Sequence, residues 1–404
     1  MAPPTTDKKA ARAVATPTKT RYIPAELLPN LHKYTYAGAD HSLVSKYILQ
    51  PYWNWLITLV PMWMAPNLVT LIGFGFIVAN LCLTLWFSPD LTEPLPRWCY
   101  FFFGIGLFLY QSLDAIDGKQ ARRTGQSGPL GEMFDHGCDA LNTTMSVITL
   151  APVLGYGKSW WMLVSMGSAL ANFFLSTWEE YHTGILHLGA ISGPVEGILI
   201  VVSVLLTTGV FGREMWAYEP FGTGTGLTLM HMSMYLGLAI ICFNIYGSAG
   251  NVIRASRGHG ESSTVPLLRL APFVVSVALV AVWVAGNPEG ILAGGGMVPL
   301  SLYITFAFGH LVGGIITAHV VHAPYPWISP MWVPSGVGAA NAVIGVVFGV
   351  RLIPVEYDVV LLWTAFGFAA TLYAKFALGV IADICQFLDI WCLTIKHPQK
   401  PKAD

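Results

Sequence analysis

Four aspartates lie within 26 residues of one another, at Asp114, Asp117, Asp135 and Asp139. A spacing of three or four places each neighbouring pair on one face of a helix. Carboxylates that converge repel one another unless cations neutralise them, and oxygen ligands of this kind suit Mg²⁺, Mn²⁺ or Ca²⁺. We therefore predict a metal site with these four ligands, holding two Mg²⁺ ions about 4 Å apart, with Mn²⁺ as a substitute. Ordinary helix caps or ion pairs are the alternative interpretation.

The surrounding chain is strongly apolar. Hydrophobic residues make up 54% of the 404 residues and charged residues 11%, whereas soluble domains carry about 25% charged residues. This composition indicates an all-α integral membrane protein. Ionised side chains are expensive at membrane depth, so the acidic cluster is a candidate functional site. The net charge of −1 argues against a nucleic-acid partner, because no broad basic surface is available.

Apolar stretches of about 20 residues predict ten transmembrane helices. They span roughly 67–87, 98–122, 134–155, 160–181, 195–211, 226–248, 264–285, 297–318, 336–352 and 357–386. An amphipathic, aromatic segment precedes them and reads as a helix lying along the membrane, interrupted at Pro51.

The chain is predicted to have five regions. They are a disordered tail (1–30), the interfacial segment (31–65), catalytic helices (66–255), further membrane helices that face lipid or a dimer partner (256–390) and a cytosolic tail (391–404). Fifteen of the 21 lysines and arginines fall on the side of the membrane that holds both termini. The rule that basic residues stay inside makes that side cytosolic. The loop between the two acidic helices lies there, where a water-soluble nucleotide could reach it.

The acidic stretch reads D-x2-D-G-x2-A-R-x8-G-x3-D-x3-D. This pattern resembles the signature of the CDP-alcohol phosphotransferase family. The residue directly after the third aspartate is His136. In this respect the motif resembles the eukaryotic, fungal-like choline/ethanolamine phosphotransferase branch. The segments Tyr36–Leu43, Ala65–Thr70 and Trp178–Gly184 extend the resemblance from about residue 34 to beyond 190.

The resemblance implies an enzyme. It would transfer phosphocholine, phosphoethanolamine or both from CDP-choline or CDP-ethanolamine to the sn-3 hydroxyl of 1,2-diacylglycerol, releasing CMP. It also implies a multi-pass homodimer in the endoplasmic reticulum membrane or the Golgi, with the active site facing the cytosol. The residues expected to bind the CDP-alcohol are Asn67, Gly118, Ala121, Arg122, Gly131 and Glu132.

Several of these assignments have a competing interpretation. Gly118 and Ala121 leave a helix face bare, so that a nucleotide can approach the backbone. Arg122 is either a phosphate partner or a membrane-side anchor. Glu179 and Glu180, at the end of the fourth predicted helix, could hold a cationic head group, although interfacial acids are usually solvated. His319 is treated as a core residue.

A lipid hydroxyl needs a base to accept its proton, and a base with a pKa near neutrality is the efficient choice. His136 has such an intrinsic pKa and lies beside two predicted metal ligands. Asp139, the last aspartate of the motif, is the other candidate. We prefer His136 because a carboxylate bound to a cation is a poor base.

Two other classes of protein are considered. Intramembrane prenyltransferases also hold a diphosphate with aspartates and Mg²⁺, but their acidic motifs lie in two widely separated halves. A cation-coupled transporter would place carboxylates at helix centres and show inverted repeats, and no repeat is visible.

Overall fold

The computed structural model describes residues 21–35, 37–40, 42–188, 194–258 and 262–398. Within these ranges the chain is almost entirely helical. The α-helices are α1 Gln50–Leu59, α2 Pro66–Phe87, α3 Arg97–Thr124, α4 Pro129–Leu154, α5 Trp160–Thr183, α6 Pro194–Phe211, α7 Leu229–Gly258, α8 Thr264–Leu268, α9 Ala271–Ala285, α10 Met297–Val320, α11 Trp332–Phe348 and α12 Asp358–Leu388. Two three-residue strands, β1 Gly38–Asp40 and β2 Leu186–Leu188, pair in parallel.

Each of the ten predicted membrane segments coincides with a helix or a pair of helices. In the described ranges, six helical stretches are long and apolar enough to cross a membrane, from α2, α3, α7, α8 with α9, α10 and α12. The chain is thus a helical, multi-pass membrane protein. The number of ten crossings stays a prediction.

Prolines and glycines shift several predicted boundaries. The segment 264–285 divides into α8 and α9, where Pro272 occupies the first turn of α9 and cannot donate a backbone hydrogen bond. Helix α11 ends earlier than predicted because Gly349 adopts a left-handed conformation with φ of 73°. At the predicted interruption near Pro51, the interfacial segment changes from a π-helix, Ser45–Leu49, to α1, in whose first turn the proline is tolerated.

The predicted disordered tail is too long at its C-terminal end. Residues 1–20 lie outside the described residues, but residues 21–30 are folded onto the helices. The backbone N–H groups of Tyr22 and Ile23 donate hydrogen bonds to Asp383 on α12, at 2.7 and 3.0 Å. Ile23 and Leu28 are buried. The apolar side chains of this segment anchor it to the helices. The proline- and threonine-rich composition of the tail did not indicate this packing.

Helix α4 occupies the centre of the arrangement and packs against α2, α5 and α10. Helix α3 packs against α2 and α6. The interfacial helix α1 lies on the ends of α2 and α3, where Trp53 and Ile57 pack with Val69 and Ile116. The elements that carry the acidic motif are therefore held by neighbours on several sides.

Candidate metal and phosphate site

A four-residue turn brings the two acidic helices together. Helix α3 ends at Thr124 because Gly125 takes a left-handed conformation, with φ of 66°. Helix α4 begins at Pro129, whose fixed φ suits the first helical position and whose missing N–H costs no hydrogen bond there. The last turns of α3 therefore lie beside the first turns of α4, as the motif predicted.

Three of the predicted metal ligands converge. The carboxylates of Asp114, Asp135 and Asp139 each offer an oxygen within 4.8 Å of the other two. One oxygen of Asp114 and one of Asp135 are buried and have no hydrogen-bond partner among the residues that the structure describes. Buried carboxylate oxygens without donors are costly unless a cation neutralises them. The donor set is all oxygen, so it fits Mg²⁺ or Mn²⁺.

The remaining polar contacts of this cluster come from residues outside the predicted set. The Thr70 hydroxyl, on α2, donates a hydrogen bond to Asp117. The Tyr110 hydroxyl donates to Asp139. Asp117 is therefore oriented from α2 and is not one of the three carboxylates that lie within 4.8 Å of one another. Tyr110 lies one turn before Asp114 on α3, and Thr70 ends the motif segment Ala65–Thr70. These sequence positions are the signals that could have identified the two residues as partners of the aspartates.

The predicted nucleotide face is open. A Cβ atom added to Gly118 would meet only Arg122 Nη1, at 3.6 Å, so little covers this backbone. Ala121 lies on the same stretch of α3, and Arg122 is exposed. On the facing helix, a Cβ atom at Gly131 would lie 4.0 Å from Asn67 Oδ1. The structure therefore brings Gly131 and Asn67 together at the edge of the acidic cluster.

His136 belongs to a second polar cluster. It is 8% exposed, and its Nδ1 atom lies 4.0 Å from Glu180 Oε2. Glu132, Glu180 and His319 each offer an atom within 4.8 Å of the other two. Glu180, at 4% exposure, is buried rather than solvated. His319 reaches this cluster from α10, so the region 256–390 contributes to the site and is not confined to lipid or dimer contacts.

One face of α4 carries both clusters. Glu132, Asp135, His136 and Asp139 are spaced at i, i+3, i+4 and i+7, which aligns them along the helix. The aspartates contact α3, whereas Glu132 and His136 lie toward α5 and α10. The aspartate cluster and the second polar cluster are therefore immediate neighbours.

These features define a class of protein: a multi-pass membrane protein with a cluster of carboxylates between two of its helices that could hold metal ions. Residues 63–309 match the family described as CDP-alcohol phosphatidyltransferase. The chain belongs to this family.

Characterised relatives cover nearly the whole chain. Cholinephosphotransferase 1 of Saccharomyces cerevisiae is 35% identical, over 94% of this chain and 99% of its own. Choline/ethanolaminephosphotransferase 1 of the same yeast is 35% identical, over 93% and 98%. Choline/ethanolaminephosphotransferase 1 of Arabidopsis thaliana is 35% identical, over 94% and 99%. The similarity thus extends well beyond the acidic motif.

Proposed function

We propose that the protein transfers phosphocholine, phosphoethanolamine or both from a CDP-alcohol to the sn-3 hydroxyl of 1,2-diacylglycerol. The products are phosphatidylcholine or phosphatidylethanolamine and CMP. The observation that carries this proposal is the convergence of the carboxylates of Asp114, Asp135 and Asp139. One buried oxygen of Asp114 and one of Asp135 have no hydrogen-bond partner in the described part of the chain. The names of the relatives supply the substrate class.

Asp114, Asp117, Asp135 and Asp139 would hold two divalent ions, Mg²⁺ or Mn²⁺. When bound, such ions neutralise a diphosphate and stabilise the charge that develops as it is broken. Thr70 and Tyr110 fix the orientation of two of these carboxylates through hydrogen bonds. The cytidine and its phosphates lie on the bare face at Gly118 and Ala121, with Arg122, Gly131 and Asn67 around them. Glu132 lies toward the alcohol end of the CDP-alcohol.

The reaction is one displacement. The lipid oxygen forms a bond to the phosphorus that carries the alcohol, the bond from that phosphorus to the bridging oxygen breaks, and CMP leaves. The hydroxyl proton passes to His136, with Asp139 as the alternative acceptor. His136 fits this role because its ring is buried next to the metal ligands and its Nδ1 is without a hydrogen-bond partner in the described part of the chain.

We also infer the setting of the reaction. The excess of basic residues at the acidic end of the helices supports a site that faces the cytosol. The endoplasmic reticulum or Golgi membrane and a homodimeric assembly follow from the family resemblance. The region 66–255 carries the acidic motif. His319, on α10, adds a residue from outside that region to the second polar cluster.

The deciding experiment supplies purified protein in detergent with diacylglycerol and radiolabelled CDP-choline or CDP-ethanolamine. We expect labelled phospholipid and CMP in the presence of Mg²⁺. Asp135→Asn is the matched control, because it keeps the size of the side chain and removes its charge. Absence of transfer from either donor by a folded, Mg²⁺-loaded protein would overturn the proposal.

A further inference from the structure

The second polar cluster holds two buried acids that lack a cation. Glu132 and Glu180 are 8% and 4% exposed. Glu132 Oε1 has no hydrogen-bond partner within the described ranges. In those same ranges neither acid forms a salt bridge with a lysine or an arginine, and the one charged contact is Glu180 with His136 at 4.0 Å. Burial of carboxylates without a partner is expensive, so a cation that arrives from outside would stabilise this cluster.

We propose that Glu132, Glu180 and His319 bind the ammonium group of the CDP-alcohol. This inference rests on the proposed function and adds a site for the head group. A primary ammonium has three N–H donors, and the cluster offers two carboxylates and one ring nitrogen. Hydrogen bonds of about 2.8 Å in a tetrahedral arrangement separate the acceptors by about 4.6 Å. The three acceptor atoms lie within 4.8 Å of one another, so one ammonium group between them can reach all three.

The location also fits the substrate. One oxygen and two carbons separate the phosphorus of an ethanolamine ester from its nitrogen. Glu132 lies three residues before Asp135 on the same face of α4, a rise of about 4.5 Å along the helix axis. A phosphate held by the aspartates therefore leaves its head group within reach of the glutamates, on the side of α4 that faces α5 and α10.

The cluster suits an ammonium with N–H groups better than a quaternary one. Quaternary ammonium ions are recognised chiefly by aromatic faces. The ring centroid of Tyr181 lies 6.4 Å from that of His319. Arg269 already occupies the face of this tyrosine, with its Cζ atom 5.4 Å from the ring centroid. Tyr325 also faces Arg269, at 5.5 Å. The glutamates attract the charge of CDP-choline but accept no N–H hydrogen bonds from it. Loss of one glutamate should therefore weaken the binding of CDP-ethanolamine more than the binding of CDP-choline.

The test compares ligands that differ only in the head group. Binding of CMP, CDP-ethanolamine, CDP-choline and CDP-propanol, a neutral isostere of CDP-ethanolamine, is measured with Mg²⁺ present. Loss of one partner from a buried charge pair weakens binding by about 30-fold or more. We expect the native protein to prefer CDP-ethanolamine to CDP-propanol by at least that factor. Glu180→Gln should abolish the preference and leave CMP binding unchanged.

Glu179→Gln is the matched control. Glu179 precedes Glu180 on α5 and is equally buried, but its carboxylate accepts a hydrogen bond from Asn251 at 2.5 Å. A glutamine can accept the same bond, so the preference for the ammonium should persist. Glu132→Gln, on α4, should reproduce the effect of Glu180→Gln and guards against a local disturbance of α5.

Three results discriminate between the explanations. If Glu180→Gln and Glu132→Gln both keep the preference for CDP-ethanolamine over CDP-propanol, the head-group site is wrong. If Glu180→Gln instead lowers the number of bound Mn²⁺ ions by one, measured without nucleotide, the cluster is a metal site and the inference is also wrong. If the native protein binds no CDP-alcohol at all, the proposed function fails. Tight binding of CMP with equal affinities for CDP-ethanolamine and CDP-propanol overturns the head-group site alone.

Discussion

Replacement of Gly118 by alanine should change stability and nucleotide binding in opposite directions. Gly118 lies inside α3, where glycine costs about 0.8–1.0 kcal/mol relative to alanine. The new Cβ atom would meet only Arg122 Nη1, at 3.6 Å, which is an ordinary van der Waals contact. Without ligand, Gly118→Ala should therefore be up to about 1 kcal/mol more stable than the native protein.

The effect on nucleotide binding follows from the same open space. If the phosphates of the CDP-alcohol lie against the backbone of Gly118, the added methyl group occupies part of their site. An extra methyl group in a closely packed site costs about 1–3 kcal/mol. Nucleotide affinity should then fall by about 5- to 150-fold. A gain in stability together with this loss cannot arise from general misfolding.

The assay combines thermal unfolding in detergent with binding of CMP in the presence of Mg²⁺. Gly75→Ala is the control, because Gly75 is an exposed glycine within α2 and a Cβ atom there meets nothing within 4 Å. It should gain similar stability and bind CMP normally. If Gly118→Ala binds CMP as tightly as the native protein, the bare face of α3 is not the nucleotide site.

Four further outcomes are expected. Exhaustive chelation with EDTA should abolish turnover and Mg²⁺ or Mn²⁺ should restore it, whereas Ca²⁺ should bind without full activity because its looser coordination positions a diphosphate poorly; full activity after chelation contradicts the metal assignment. His136→Gln should lower kcat by about 10²–10⁴ and keep CDP-alcohol affinity within a few-fold, as expected for a lost general base; near-native turnover, together with an inactive Asp139→Asn that still binds substrate, would make Asp139 the base. No covalent phosphocholine-enzyme should accumulate with CDP-choline alone, since the motif offers no activated nucleophile; trapping one by acid quench would refute direct transfer. Gly157→Ala should unfold at a lower temperature than the native protein, because its Cβ atom would lie 1.9 Å from the Leu91 carbonyl oxygen, whereas Gly167→Ala, with open space, should not.

The parts of the site that the sequence predicted are those set by local geometry. The spacing of the aspartates fixed which carboxylates share a helix face, since helical periodicity is independent of the rest of the fold. The structure brings Asp114 close to Asp135 and Asp139, and their role as metal ligands stays a prediction. The turn between α3 and α4 is bounded by Gly125 and Pro129, and both residue types act locally.

The partners from distant helices could not be predicted in the same way. Thr70 meets Asp117 across 47 positions of sequence, and His319 approaches Glu180 from a helix well beyond the motif. Such contacts depend on which faces of α2, α4, α5 and α10 pack together. Periodicity identifies an apolar stripe but not the neighbour that covers it. The sequence therefore did not indicate that Glu180 and His319 belong to one cluster.

The polar face of α4 makes the folded state depend on its ligands. It places Glu132, Asp135, His136 and Asp139 side by side, and one oxygen of Glu132 and one of Asp135 are buried without a donor in the described part of the chain. Each unpaired buried group opposes folding, and the same group gains most when a cation or a hydrogen-bond donor arrives. Ligands that bind only the folded state stabilise it by about 2.7 kcal/mol at 100 times their dissociation constant. Divalent metal and a CDP-alcohol should thus raise the unfolding temperature together, and the two clusters should contribute separately to that rise.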